Sequence, residues 1–128
     1  MKSLLIAEGN ASVAKLFASV FEQHQWKVTS PPDANGVREA LRGTEPFDIM
    51  LVSYEVRGSN GLELIKLVRA LDHRRHLPVL LVTGTSGIDA EAFAAGASDV
   101  LHKPVDIYSL INAVNRQVAR AEHHNSKG

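Results

Sequence analysis

Three short apolar runs constrain this chain most: Leu4-Leu5-Ile6-Ala7, Ile49-Met50-Leu51-Val52 and Val79-Leu80-Leu81-Val82. None of them alternates with polar residues. A strand that faces water on one side alternates, whereas an unbroken apolar run of this length fits a strand covered on both faces, as in a parallel sheet. Two further strands are read at Trp26–Thr29 and Asp99–His102. Helical periodicity fills the intervals. Val13, Leu16, Phe17, Val20 and Phe21 form one stripe with Asn10 as its cap, and Leu62, Ile65, Val68 and Leu71 form another after Asn60-Gly61. Ile107, Leu110, Ile111, Val114 and Val118 form a third, with Asp106 placed to cap it. Val37–Leu41 and Ile88–Ala95 read as shorter helices; the second is alanine-rich and is expected to pack loosely.

Strand and helix thus alternate five times. Such alternation with short loops implies right-handed crossovers and one parallel sheet with helices on both faces. The expected fold is α/β, a flavodoxin-like (βα)5 arrangement with strand order 2-1-3-4-5. Ligands in such sheets bind beyond the carboxyl ends of the strands, which directs attention to Glu8-Gly9, Ser53, Thr83-Gly84 and Lys103. A chain of 128 residues fits one domain, read here as residues 1–120, with 121–128 as a polar tail or the start of a linker. Cysteine is absent, which removes disulfide and thiolate chemistry. The apolar start is too short for a signal peptide or a bilayer span, so a cytoplasmic location is expected. The formal net charge is zero, so no global field favours nucleic acid or membrane. No dinucleotide fingerprint, phosphate-binding glycine loop, nucleophile elbow or zinc-protease motif is present, and the chain is not expected to be an enzyme. His24, His102, His123 and His124 lack metal-ligand spacing, Trp26 reads as a packing residue, and His73-Arg74-Arg75-His76 reads as a solvated turn.

Five pieces, in order, resemble a response-regulator receiver domain of two-component signalling. Leu5-Ile6-Ala7-Glu8-Gly9-Asn10 resembles the first strand with its acidic end. Phe47-Asp48-Ile49-Met50-Leu51-Val52-Ser53, with Gly61 eight residues on, resembles the third strand, its acceptor position and the following glycine. Val82-Thr83-Gly84 resembles the fourth strand with its hydroxyl residue. Ala95-Gly96-Ala97-Ser98-Asp99-Val100-Leu101-His102-Lys103-Pro104 resembles the closing turn, the fifth strand and its lysine-proline, and the helix over Leu110–Val118 follows.

The departures from that pattern bear on function. In the family, two adjacent acids on the first strand and the acceptor aspartate hold Mg²⁺, which neutralises the incoming phosphoryl group. At the matching positions this chain has Glu8, Gly9 and Ser53, so one carboxylate survives. Mg²⁺ demands near-octahedral oxygen ligands, and its binding is expected to be weak or absent. Family members also present a backbone carbonyl to the metal two residues after the acceptor, here at Glu55. An active receiver tends to be acidic, and the neutral balance here agrees with a depleted pocket. Glu8 and Lys103 are expected to pair or share a water as an exposed pair worth roughly 0–1 kcal/mol. Thr83 and Lys103 are expected to be kept for structure, with a cis bond before Pro104. The switch aromatic of the family corresponds to Val100, a small and stiff side chain.

The resemblance therefore implies a degenerate, phosphorylation-independent receiver that acts as a protein-interaction module in bacterial two-component signalling. Its partner would be a histidine kinase, output protein or output domain, met through the Asp106–Arg120 helix face and the Ile88–Ala95 helix beside it; a homodimer through the last helices is also open. The alternative is a phosphotransfer-competent regulator with an unusual acceptor, Ser53 or a nearby acid. A small-ligand sensor in the vacated crevice is a third reading.

Overall fold

The computed structural model describes residues 1–127, with side chains through His123. In chain order the elements are β1 (Ser3–Ala7), α1 (Ala11–Gln23), β2 (Lys27–Thr29), α2 (Ala34–Arg42), β3 (Ile49–Ser53), β4 (Glu55–Val56), β5 (Ser59–Asn60), α3 (Gly61–Ala70), β6 (Val79–Thr83), α4 (Asp89–Ala95), β7 (Asp99–His102) and α5 (Ile107–Lys127). The main sheet has five parallel strands in the order β2-β1-β3-β6-β7. This is the expected 2-1-3-4-5 order, since β4 and β5 form a separate antiparallel hairpin.

The three apolar runs are β1, β3 and β6, buried at every position. Their alternation is hidden because both faces are covered. Leu4, Ile6, Ile49, Leu51, Leu80 and Val82 join one core with Phe17 and Phe21 of α1 and Leu110, Val114 and Val118 of α5. Leu5, Met50, Val52, Val79 and Leu81 join the opposite core with α2, α3 and Ala92 of α4. Trp26 packs edge-to-face on Phe21, with ring centroids 5.8 Å apart.

Four sequence expectations change. Leu16, read as part of the α1 stripe, is 52% exposed: it lies at the edge of that arc, and Phe17 and Phe21 carry the contact. Helix α2 starts at Ala34, earlier than expected, because the Asp33 carboxylate accepts from Gly36 N at 2.9 Å and caps it. The loop after Ser53 contains the β4–β5 hairpin, whose Arg57 carbonyl accepts from Ala34 N at 2.8 Å and so fastens the hairpin to α2.

The His73–His76 turn is not simply solvated. Arg74 is only 6% exposed. Its Nε donates to Leu41 O at 2.9 Å, and Nη2 reaches Ala40 O, Gly43 O and Glu45 O at 3.2, 3.0 and 2.7 Å. Ala40 O and Leu41 O are carbonyls that the last turn of α2 leaves without helical donors, and Gly43 O and Glu45 O belong to the segment that follows it. The guanidinium also lies over Phe47, 4.9 Å from the ring centroid. Helix α5 runs to Lys127, past the division read at 120/121. Gly128, the last residue of the expected tail, lies outside the described residues.

Candidate functional site

Ser53 and Thr83 end β3 and β6, while Glu8 and Lys103 directly follow β1 and β7. Parallel pairing therefore brings these four residues to one edge of the sheet. Glu8 is the hub, with a side chain only 3% exposed. Its Oε1 accepts from Lys103 Nζ at 2.8 Å and from the Ser53 hydroxyl, and its Oε2 accepts from Asn10 N at 2.9 Å. Burial pushes the Glu8 carboxyl up, but Lys103, Ser53 and Asn10 outweigh burial and hold it below its ordinary range. The exposed pair expected from sequence is thus a direct contact around a buried carboxylate, with Lys103 the wetter partner at 32% exposure. Ser53 is itself 3% exposed.

Gly9 adjoins this cluster but turns away from it. Its N–H donates to the Glu55 carbonyl at 2.9 Å. A Cβ at this position would lie 2.6 Å from Glu55 O and 3.1 Å from Glu55 C, both backbone atoms. Residue 9 and the hairpin therefore approach closely only because residue 9 is glycine. Replacing Gly9 with alanine is expected to destabilise the protein by about 2 kcal/mol, because the hairpin must retreat from a contact that cannot flex. Urea unfolding of the variant measures it. Gly61 plays the same part at the far end of the loop, where a Cβ would meet Ser53 O at 2.4 Å. Asn60 caps α3 there, accepting from Glu63 N at 3.0 Å.

Thr83 is 1% exposed, and its Oγ1 accepts from Thr85 N at 2.9 Å, closing the turn after β6. Lys103 N donates to Thr83 O at 2.7 Å, and the Lys103–Pro104 bond is cis. Val100 pairs with Leu81 within the sheet and packs, half-buried, against the core. Among the described residues no group of three or more histidine, cysteine or acidic side chains is placed to hold a metal ion. None of their helices is long and apolar enough to cross a membrane.

Two partners of the site escaped sequence reading. Asn10 was read only as a helix cap, which it is, its side chain accepting from Val13 N at 3.1 Å; its own N–H also holds Glu8. The acceptor of the Gly9 N–H is a backbone carbonyl, which carries no side-chain signal.

A doubly wound parallel sheet with its polar residues gathered beyond the strand ends defines the flavodoxin-like class. Within that class, residues 4–115 match the response regulator receiver domain model, and the chain belongs to that family of two-component signalling modules. It is 35% identical over 95 residues to the DNA-binding transcriptional regulator NtrC of Klebsiella pneumoniae, covering 71% of this chain and 19% of that one. It is 26% identical over 116 residues to the CAI-1 autoinducer sensor kinase/phosphatase CqsS of Vibrio cholerae, covering 88% of this chain and 17% of that one. The chain thus spans under a fifth of the length of either relative. In fold it superposes on a CheY-like receiver domain protein from Methanospirillum hungatei with a TM-score of 0.86, at 20% identity and covering 97% and 98% of the two chains.

Proposed function

We propose that this chain is a phosphorylation-independent receiver, a cytoplasmic protein-interaction module that signals through its surface and not through an acyl phosphate at residue 53. The observation that carries the reading is the saturation of Glu8. One buried carboxylate already accepts from an ammonium, a hydroxyl and a backbone N–H. A receiver's metal would need that carboxylate, a second acid and the carbonyl two residues after the acceptor. Position 9 has no side chain, position 53 has a hydroxyl, and the Glu55 carbonyl accepts from Gly9 N. The residues present do not fit Mg²⁺. Charge points the same way: Glu8 and Lys103 neutralise each other, leaving no excess negative charge for a divalent ion to balance.

The reading of Ser53 as a structural replacement follows from its surroundings. A hydroxyl nucleophile needs a base, a clamp for the phosphoryl group and access. Glu8 is in place as a base, but Ser53 is buried, and Lys103 is held by the same oxygen as the hydroxyl. Residues 1–120 would form the interaction unit, with 121–128 leading out of it. Its contact face would be α5 from Asp106 to Arg120 with α4 beside it. Two of the largest exposed apolar side chains among the described residues lie on these helices, Phe93 at 51% and Tyr108 at 77% exposure. The partner would be a histidine kinase, an output protein or domain, or a second copy of the chain.

Incubation with acetyl phosphate or a histidine kinase, followed by intact mass measurement, is expected to give no phosphate adduct. A stoichiometric adduct lost in Ser53→Ala would instead establish Ser53 as an acceptor and overturn the proposal.

A further inference from the structure

A crevice of about 330 Å³ opens beside the buried cluster, beyond the carboxyl ends of β1 and β2. That volume sits at the lower end of the range for small-molecule sites, roughly 300–1,000 Å³, and its position is where open α/β sheets take ligands. Its charged lining residues are Glu8, Lys15 and Arg57. Glu8 is spent on Lys103 at 2.8 Å. Lys15 on α1 and Arg57 at the tip of the hairpin are exposed, and their side chains have no hydrogen-bond or ion-pair partner among the described residues. The crevice therefore carries surplus positive charge. Ser30 adds a free hydroxyl, and Pro31 and Pro32 form a rigid apolar wall.

We propose that this crevice binds a small organic phosphate monoester, with Arg57 and Lys15 on the phosphate oxygens, Ser30 donating to a third, and the organic part against Pro31 and Pro32. Arginine suits the role because its planar fork meets two oxygens at once, while a lysine supplies a point charge beside it. Binding is non-covalent and leaves Ser53 untouched. The crevice is separate from Ser53, Thr83 and Lys103, none of which lines it.

Amide NMR titration of the whole chain with inorganic phosphate and with phenyl phosphate tests this, with chloride at matched ionic strength as the control. Saturable shifts at Lys15, Ser30 and Arg57 are expected for both, with phenyl phosphate binding more tightly because its ring meets the proline wall. Lys15→Ala combined with Arg57→Ala is expected to weaken binding by about tenfold or more. Both side chains are on the surface, so the double variant keeps its fold, which its own spectrum verifies. Absence of saturable shifts overturns the proposal, as does binding that the double variant leaves unchanged. Equal affinity for the two probes removes the organic part and with it the monoester assignment. Shifts centred on Ser53, Thr83 and Lys103 would count against the crevice and, separately, against phosphorylation independence, so the two readings fail distinguishably.

Discussion

Replacing Arg74 with alanine is expected to destabilise this protein by about 3 kcal/mol, more than any other surface-to-core link described above. The side chain is buried in a turn that joins α3 to β6, yet its hydrogen bonds all go to the end of α2 and the residues after it. Truncation leaves the carbonyls of Ala40, Leu41 and Glu45 short of a donor, leaves Gly43 O with only the His73 ring at 2.8 Å, and uncovers the face of Phe47. Each carbonyl can recover only what water can reach, and an unsatisfied buried polar group costs roughly 1–3 kcal/mol. Arg74→Lys is expected to recover only part of the loss, since one ammonium cannot bridge Leu41 O and Glu45 O as a fork does. A thermal melt should show a drop of roughly 10 °C for the alanine variant. A change within error would mean that the turn is solvated after all.

The second large effect is at Glu8. Glu8→Gln keeps the shape but removes the charge that Lys103 meets at 2.8 Å, and it turns an N–H donor toward one of the three donors now served. A loss of about 2 kcal/mol at neutral pH is expected. The loss depends on pH with a definite sign. The folded-state pKa of Glu8 lies below its ordinary value of 4.5. Its contribution is therefore complete above 4.5 and disappears as pH falls through the lower folded value, where the folded protein also takes up the proton. Denaturation of the two proteins across pH 7 to pH 3 should show curves well apart at neutrality that converge below about 4.5. A gap that widened in acid would contradict the charged, accepting state of Glu8.

How much of this was legible in the sequence follows from what kind of signal each part leaves. Strands covered on both faces leave unbroken apolar runs, so β1, β3 and β6 could be read directly, and the alternation of strand and helix led to the flavodoxin-like strand order that is observed. The cluster could be located because Glu8, Ser53, Thr83 and Lys103 all sit at strand ends, and sheet topology alone brings such ends together. Burial was harder. Glu8 looked exposed because it follows a strand and is charged, but Lys103 and Ser53 come from 95 and 45 residues away to enclose it. Arg74 was misread for the same reason: its partners lie 29 to 34 residues upstream. The β4–β5 hairpin is two residues per strand, too short to impose a pattern, and its anchors are backbone groups on Gly9 and Ala34. Backbone partners leave no trace in side-chain identity. Gly9 was noticed for the carboxylate it lacks. Its positive role, admitting the Glu55 carbonyl, becomes visible only in three dimensions.

That role also bears on repair of the site. An acid at position 9 puts a Cβ where the hairpin backbone already lies, so that substitution must displace the hairpin before the added carboxylate can serve a metal.

The central claim, that this receiver works without phosphorylation, is tested most directly by titrating the chain with Mg²⁺ and beryllofluoride while recording amide NMR spectra. Beryllofluoride with Mg²⁺ mimics a phosphoryl group on an acceptor carboxylate, and this chain places a hydroxyl at that position. The expected result is a spectrum in which Ser53, Thr83 and Lys103 do not move in a saturable way. Saturable shifts at those three residues would contradict it.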